Sequence, residues 1–263
     1  MSHVSSRDGT SIAYDRQGGG PAVIMVGGGL DDGAENAPLA AELAADFTVY
    51  NYARRGRGES GDTQPYALER EIEDIDALIA EGGGTARLYG VSSGGALALE
   101  AAAAGLAVDR LAVYEAPYGW PPPGFIEDIE SLVADGRRGD AVALFMRSAG
   151  SSEGDVEGAK TLPFWPALEG IAHTLAYDAA CMSGGAVPVE RFSTIEQPTL
   201  VMIGGLPANS REGMGGLASD FFDRAADAIA SSVPNAERRT LEGQGHMVEA
   251  TAMAPILREF FAG

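Results

Sequence analysis

The strongest constraint on the fold is a repeated alternation of short apolar runs with helix-like segments. Ala22–Val26, Phe47–Tyr52, Arg87–Val91 and Leu111–Tyr114 are each long enough for a strand and apolar enough to be buried on both faces. Between them, Glu35–Ala45, Tyr66–Glu81 and the alanine-rich Gly94–Ala104 carry helical patterning. Such a rhythm predicts an α/β chain with a mostly parallel sheet covered by helices on both faces. Ahead of it, residues 1–16 read as a hairpin turning at Asp8-Gly9.

The rhythm breaks after Ala116. Residues 117–190 hold Pro121-Pro122-Pro123, helical patterns near Phe125–Ala134 and Asp140–Ala149, and the aromatics Tyr118, Trp120, Phe125, Phe145, Phe164, Trp165 and Tyr177. We read this stretch as a helical lid inserted into a core made of residues 1–116 and 191–263. Its Gly/Ser-rich part, 148–158, is expected to be a mobile loop. The rhythm resumes with a strand at Thr199–Ile203, a helix near Ser219–Ser231, a short strand at Arg238–Leu241 and a closing helix at Pro255–Phe261.

Charge and composition exclude several partners. A net charge of -20, with Lys160 the only lysine and no basic stripe, disfavours a phosphate backbone. No apolar run is long enough to span a bilayer, and the amino end lacks a basic segment leading into an apolar one. The single cysteine, Cys181, fits a reducing compartment, so a cytoplasmic protein is expected. A small-molecule substrate is expected, with no nucleic-acid or membrane partner; a homodimer stays open.

Two segments match Gly-x-Ser-x-Gly: Gly90–Gly94 and Gly150–Gly154. The first follows an apolar strand and opens a helix, the setting in which a serine sits on a tight, strained turn with small neighbours. The second follows a helical pattern and has no strand behind it, so we read it as a loop without chemistry. Ser92 is therefore the candidate nucleophile. A serine hydroxyl needs a base, and the chain offers only His3, His173 and His246. His3 is at the terminus, and His173 in the insertion reads as packing or surface. His246 lies in the Gly-rich loop before the final helix.

Four segments together, Val26-Gly27-Gly28-Gly29, Arg55-Gly56-Arg57-Gly58-Glu59-Ser60, Gly90–Gly94 and Gly243-Gln244-Gly245-His246, resemble the α/β-hydrolase superfamily, in particular its lid-bearing, esterase- and haloperoxidase-like bacterial members. The resemblance covers nearly the whole chain. It implies an α/β-hydrolase fold, a Ser92–His246 pair, and an oxyanion hole made by the backbone N–H groups of Gly29 and Ser93, with Leu30 replacing Gly29 if the loop register is shifted by one. This chain has Gly27-Gly28 where the superfamily usually has a His-Gly pair. It also lacks the usual aspartate after the Thr199–Ile203 strand, where Gly204–Ser210 holds no carboxylate. A second known placement of the acid, after the strand that follows the nucleophile helix, holds Glu115. We assign Glu115 as the orienting acid, with Asn209, Asp178 or no acid at all as alternatives.

Gly56–Gly61 is a formal Gly-x-Gly-x-x-Gly, but its strand ends in Arg54-Arg55 and Pro65 precedes the helix, so dinucleotide binding is not expected. Its arginines should be fixed by nearby acids. Asp31-Asp32 reads as a pair of solvated loop charges, and Cys181 as a small buried hydrophobe. No metal or cofactor motif is present. The expected reaction is hydrolysis of small to medium apolar carboxylic esters through an acyl-enzyme on Ser92. The same fold and residues could instead run a cofactor-free haloperoxidase or perhydrolase reaction, C–C hydrolysis or a non-hydrolytic biosynthetic step. A ligand-binding protein with vestigial hydrolysis is the third reading.

Overall fold

A computed structural model describes residues 1–263. Its elements run β1 (Ser2–Ser5), β2 (Ser11–Gly18), β3 (Ala22–Val26), α1 (Ala37–Leu43), β4 (Thr48–Tyr52), α2 (Leu68–Glu81), β5 (Ala86–Val91), α3 (Ser93–Ala103) and β6 (Val108–Tyr114). Next come α4 (Phe125–Ala134), α5 (Arg138–Ser148), α6 (Glu153–Lys160), α7 (Trp165–Gly170), α8 (Leu175–Ala180) and α9 (Val189–Phe192). The chain then closes with β7 (Thr199–Gly204), α10 (Phe221–Ser232), β8 (Ala236–Leu241) and α11 (Ala250–Ala262).

The eight strands form one sheet in the order β1-β2-β4-β3-β5-β6-β7-β8. β1 and β2 pair antiparallel at one edge, β2 pairs antiparallel with β4, and β3 through β8 run parallel. This is the α/β-hydrolase fold expected from the sequence. Every residue of β3, β4 and β7 is buried, as strands covered on both faces require. Alternate side chains divide between two cores. Val23 and Met25 face Leu39, Leu43, Leu257 and Phe261 of α1 and α11, while Ile24 and Val26 face Ile75, Leu78, Leu97 and Leu99 of α2 and α3.

The connection from β3 runs outward to β4, and the next strand, β5, pairs on the other side of β3. Strand order therefore reverses between β3 and β5. Open α/β sheets place their sites at such a reversal, beyond the carboxyl ends of the strands. Gly27–Leu30 and Ser92 occupy that position here.

Several expectations are corrected. Residues 148–158 are not a loop: a turn closes α5, and Ser152 then caps α6, whose Asp155 returns a bond to the Ser152 N–H. Ser152 in the second Gly-x-Ser-x-Gly segment is thus a helix cap. Asp31 is buried instead of solvated, its Oδ1 accepting the N–H groups of Gly33 and Glu35. α11 begins at Ala250, five residues before Pro255, and α1 is trimmed at both ends to Ala37–Leu43. No helix is long and apolar enough to cross a membrane.

Candidate active site

Ser92 stands between β5 and α3 with φ 54° and ψ -129°, a conformation that non-glycine residues rarely adopt. The flanking glycines are sterically required. A Cβ on Gly94 would lie 2.3 Å from Val26 O and 2.4 Å from Gly27 O. One on Gly90 would lie 2.4 Å from Gly94 O. The turn is pinned on its sheet side by the Ser92 N–H, which donates to Tyr114 O at 2.9 Å.

His246 follows β8. Its Nδ1 lies 2.7 Å from Glu115 Oε2, and its ring stacks on Phe222 with centroids 5.2 Å apart. Ser92 and His246 line the same cavity, with no direct hydrogen bond between them. Of the alternative acids, Asn209 is exposed in a short turn without a bond to His246, and Asp178 is bonded elsewhere.

Glu115, itself at φ 49°, is fully buried at the end of β6. Its Oε1 accepts the Gly204 N–H at 2.8 Å, and Arg211 Nη1 donates to both carboxylate oxygens at 2.6 Å. Burial alone pushes this carboxyl's pKa up. The hydrogen bond and charge of His246, with Arg211 and the Gly204 N–H, overcome that and hold it below the ordinary glutamate value. Arg211 comes from the loop after β7, the segment that lacks the usual aspartate, and its guanidinium lies over Phe222 at 5.0 Å. Sequence reading did not single out Arg211 or Phe222. The available signal was the buried acid itself, since a carboxylate closing an apolar strand needs a cation.

The Gly27–Gly29 loop passes close to Ser92, with a Cβ on Gly28 only 3.0 Å from the serine Cβ. The Gly29 N–H has no protein acceptor, and Ser93 opens α3, where a helix leaves its N–H groups unpaired. A Cβ on Gly27 would lie 2.4 Å from Asp31 Oδ2. Where the resembled superfamily usually has a histidine, the lack of a side chain at Gly27 leaves room for the buried Asp31 carboxylate.

Under the loop, three buried arginines meet buried acids. Arg54 is bidentate to Glu71 and also donates to Asp178 Oδ1 at 2.7 Å; Arg55 binds Asp74 and Asp8; Arg57 donates to Asp178 Oδ2 at 2.7 Å. Ser93 Oγ donates to Asp178 Oδ1, also at 2.7 Å. Burial pushes the Asp178 carboxyl up, but Arg57 and Arg54 more than offset this and lower its pKa. His173 lies away from this cluster, with Nε2 3.3 Å from Asp62 and Nδ1 2.9 Å from Arg138. Cys181 is buried, and burial raises its thiol pKa, which disfavours the thiolate.

The cavity over Ser92 measures about 280 Å³. Trp120, Phe145, Met214, Leu217 and Phe221 give it apolar walls, and Glu35 and Glu212 add carboxylates. The insertion aromatics therefore divide. Trp120 and Phe145 reach the cavity, Tyr118, Phe125, Trp165 and Tyr177 are buried in packing, and Phe164 is exposed.

A family model described as "Alpha/beta hydrolase family" matches residues 23–258. An alpha/beta hydrolase from Sphaerobacter thermophilus DSM 20745 is 46% identical, with 99% of this chain and 100% of that one covered and a TM-score of 0.88. A thermophilic esterase from Thermogutta terrifontis shares the fold at 21% identity, with 99% and 97% covered and a TM-score of 0.75. The "Uncharacterized hydrolase YraK" of Bacillus subtilis (strain 168) is 32% identical over 96 residues, which span 35% of each protein. With a match over most of its length and the same architecture throughout, this chain belongs to the alpha/beta hydrolase family.

Proposed function

We propose that this protein is a serine hydrolase of small to medium, neutral, apolar carboxylic esters. The observation that supports it most is the sharing of one cavity by Ser92, on its strained turn, and His246, whose far nitrogen is bonded to Glu115. In this reading His246 Nε2 takes the Ser92 proton as Oγ attacks the ester carbonyl. The N–H groups of Gly29 and Ser93 receive the oxyanion. Glu115 holds the ring with Nδ1–H toward itself and stabilises the imidazolium. His246 then protonates the leaving alkoxide, and the acyl group stays on Oγ. A water activated by the same histidine releases the carboxylic acid and restores Ser92.

The segment between β6 and β7 acts as a lid over the site, contributing Trp120 from its leading loop and Phe145 from α5. Apolar walls favour an apolar acyl or alcohol group, and a cavity of about 280 Å³ limits its size. Glu35, Glu212 and the net charge of -20 disfavour anionic esters.

The test combines short-chain p-nitrophenyl esters with an organophosphonate probe and peptide mapping. Turnover, with one label per chain on Ser92, is expected. Stoichiometric ligand binding with neither turnover nor label would overturn the reading.

A further inference from the structure

We propose that Arg57, clamped by Asp178 from helix α8, is the positioning residue that aims the oxyanion hole. The inference rests on the hydrolase reading above and adds to it how the Gly29 donor is set.

The peptide between Gly28 and Gly29 is trans, the only cis bonds being Gln64–Pro65 and Trp120–Pro121. Across a trans peptide the carbonyl of one residue and the N–H of the next point in opposite directions. Whatever grips Gly28 O from one side therefore aims the Gly29 N–H toward the other. Arg57 Nη1 donates to Gly28 O and, at 3.2 Å, to Asp31 O, from beneath the loop. Arg54 Nη1 reaches Gly27 O at 3.4 Å and does the same, more weakly, for the Gly28 N–H. A glycine-rich loop has little stiffness of its own, so these bonds hold its carbonyls away from the cavity.

Arg57 in turn is held from two further directions. Its Nη2 donates to Asp178 Oδ2 at 2.7 Å and its Nε to Thr174 Oγ1 at 3.1 Å. Both partners lie in the segment between β6 and β7. Asp178 also accepts the Ser93 hydroxyl at 2.7 Å, so one carboxylate touches the residues behind both proposed N–H donors. Its other oxygen lies 3.4 Å from where a Cβ on Gly29 would stand. Through Asp178 and Arg57, α8 therefore helps hold the Gly28–Gly29 peptide in place.

Arg55 and Asp74 provide an internal control. They form an equally buried pair whose arginine lies two residues from Arg57, but make no bond to the Gly27–Asp31 loop. Loss of either pair should lower stability. Only the Arg57–Asp178 pair should change transition-state stabilisation.

The experiment compares matched oxo- and thionoesters in wild type, Arg57→Lys, Asp178→Asn and Asp74→Asn. The large, weakly accepting thiono sulfur gains little from an oxyanion hole, so the oxo/thiono ratio of kcat/KM reports the hole itself. Rates are counted per Ser92 that a slow organophosphonate titration labels, which removes misfolded protein from the comparison. Removing one oxyanion donor typically costs about 100- to 1000-fold in kcat. A mis-aimed donor should cost about 10- to 100-fold on the oxoester in Arg57→Lys and Asp178→Asn, with KM and the thionoester rate nearly unchanged. Asp74→Asn should melt earlier yet keep the wild-type ratio. A wild-type ratio in both Arg57→Lys and Asp178→Asn, or an equal collapse in Asp74→Asn, would overturn the positioning role alone. Wild type without label or turnover would instead overturn the hydrolase reading, and the positioning role with it.

Discussion

The segments Gly90–Gly94 and Gly150–Gly154 share one pattern and end in different structures. In the first, Ser92 is forced to φ 54° because β5 delivers the chain directly into α3 and the glycines touch backbone from β3 and α3. In the second, Ser152 is exposed at an ordinary φ of -74° and ψ of 163°, capping α6. A Cβ on Gly154 meets nothing closer than Ser152 Oγ at 3.6 Å. The pentapeptide does not specify an elbow. A preceding buried strand that enters the helix through the serine does, since Gly150 is also crowded by backbone, its Cβ position 3.1 Å from Leu217 N and Met214 C, while Ser152 stays at an ordinary φ.

The sharpest way to break this comparison is to remove each hydroxyl. Ser92→Ala should lower kcat by about 10⁴- to 10⁶-fold, the range in which a lost serine nucleophile lies. Ser152→Ala should leave kcat unchanged. Steady-state ester hydrolysis reads both, and a comparable loss in the two variants would erase the distinction.

Next in size is Glu115, the group proposed to orient the base. Glu115→Gln should cost about 10³- to 10⁴-fold in kcat, as neutralising the acid behind a catalytic histidine does, whereas Asn209→Ala should cost little. The same variant has a pH signature. A carboxyl whose folded pKa lies below its unfolded one stabilises the fold above the unfolded value, and that stabilisation is lost as pH falls through the folded value. Glu115 is such a group, its burial outweighed by His246 and Arg211. Wild-type melting temperature should therefore decline below about pH 4.5, the ordinary glutamate value. The decline should be shallower in Glu115→Gln; an identical slope would show that Glu115 does not titrate with folding.

The glycines separate the two segments by stability. Gly94→Ala would press a methyl against the backbone of β3 and its loop, and such overpacking typically costs about 1–3 kcal/mol, with more expected where backbone cannot yield. Denaturant unfolding should show that loss, along with lost activity. If Gly94→Ala proves as harmless as a change at Gly154, then close packing is not what makes the elbow.

These contrasts also show how far sequence carries. The sheet was legible because β3, β4 and β7 are short, mostly apolar runs, and each is buried at every position. Ser92 could be singled out because an apolar strand precedes its pentapeptide and a helix follows, and His246 and Glu115 because they stand where the resembled superfamily places its histidine and, in its second arrangement, its acid. Helix α6 was not foreseen, although Ser152-x-x-Asp155 is a capping pattern. Glycines at 150, 154 and 158 outweighed it, and helix α6 instead gains its stability from Val156, which is buried. Asp31 was misread for a related reason. Its burial depends on Gly27 having no side chain, a contact between residues four apart in a loop that no periodicity describes. Arg211 lies further out of reach, since its role depends on bringing the loop after β7 against the end of β6.

The smallest effect probes the decoy itself. Gly154 occupies the second position of α6 with open space around its α-carbon. Alanine there removes backbone freedom from the unfolded chain without a clash, worth about 0.4–1 kcal/mol of added stability. Ser152→Ala works in the opposite direction, costing about 1 kcal/mol through the lost cap. Asp155 shares that cap, and its pKa is lowered by the Ser152 side-chain and backbone hydrogen bonds. The benefit of the intact cap should therefore be complete above the ordinary aspartate range and fade as pH falls through the lowered value. Thermal melts of wild type and the two variants at neutral and acidic pH measure all three. Were Gly154→Ala destabilising, the second segment would need glycine at both ends, since Gly150 already sits at φ 100°, and the contrast with Gly90–Gly94 would narrow to the serine alone.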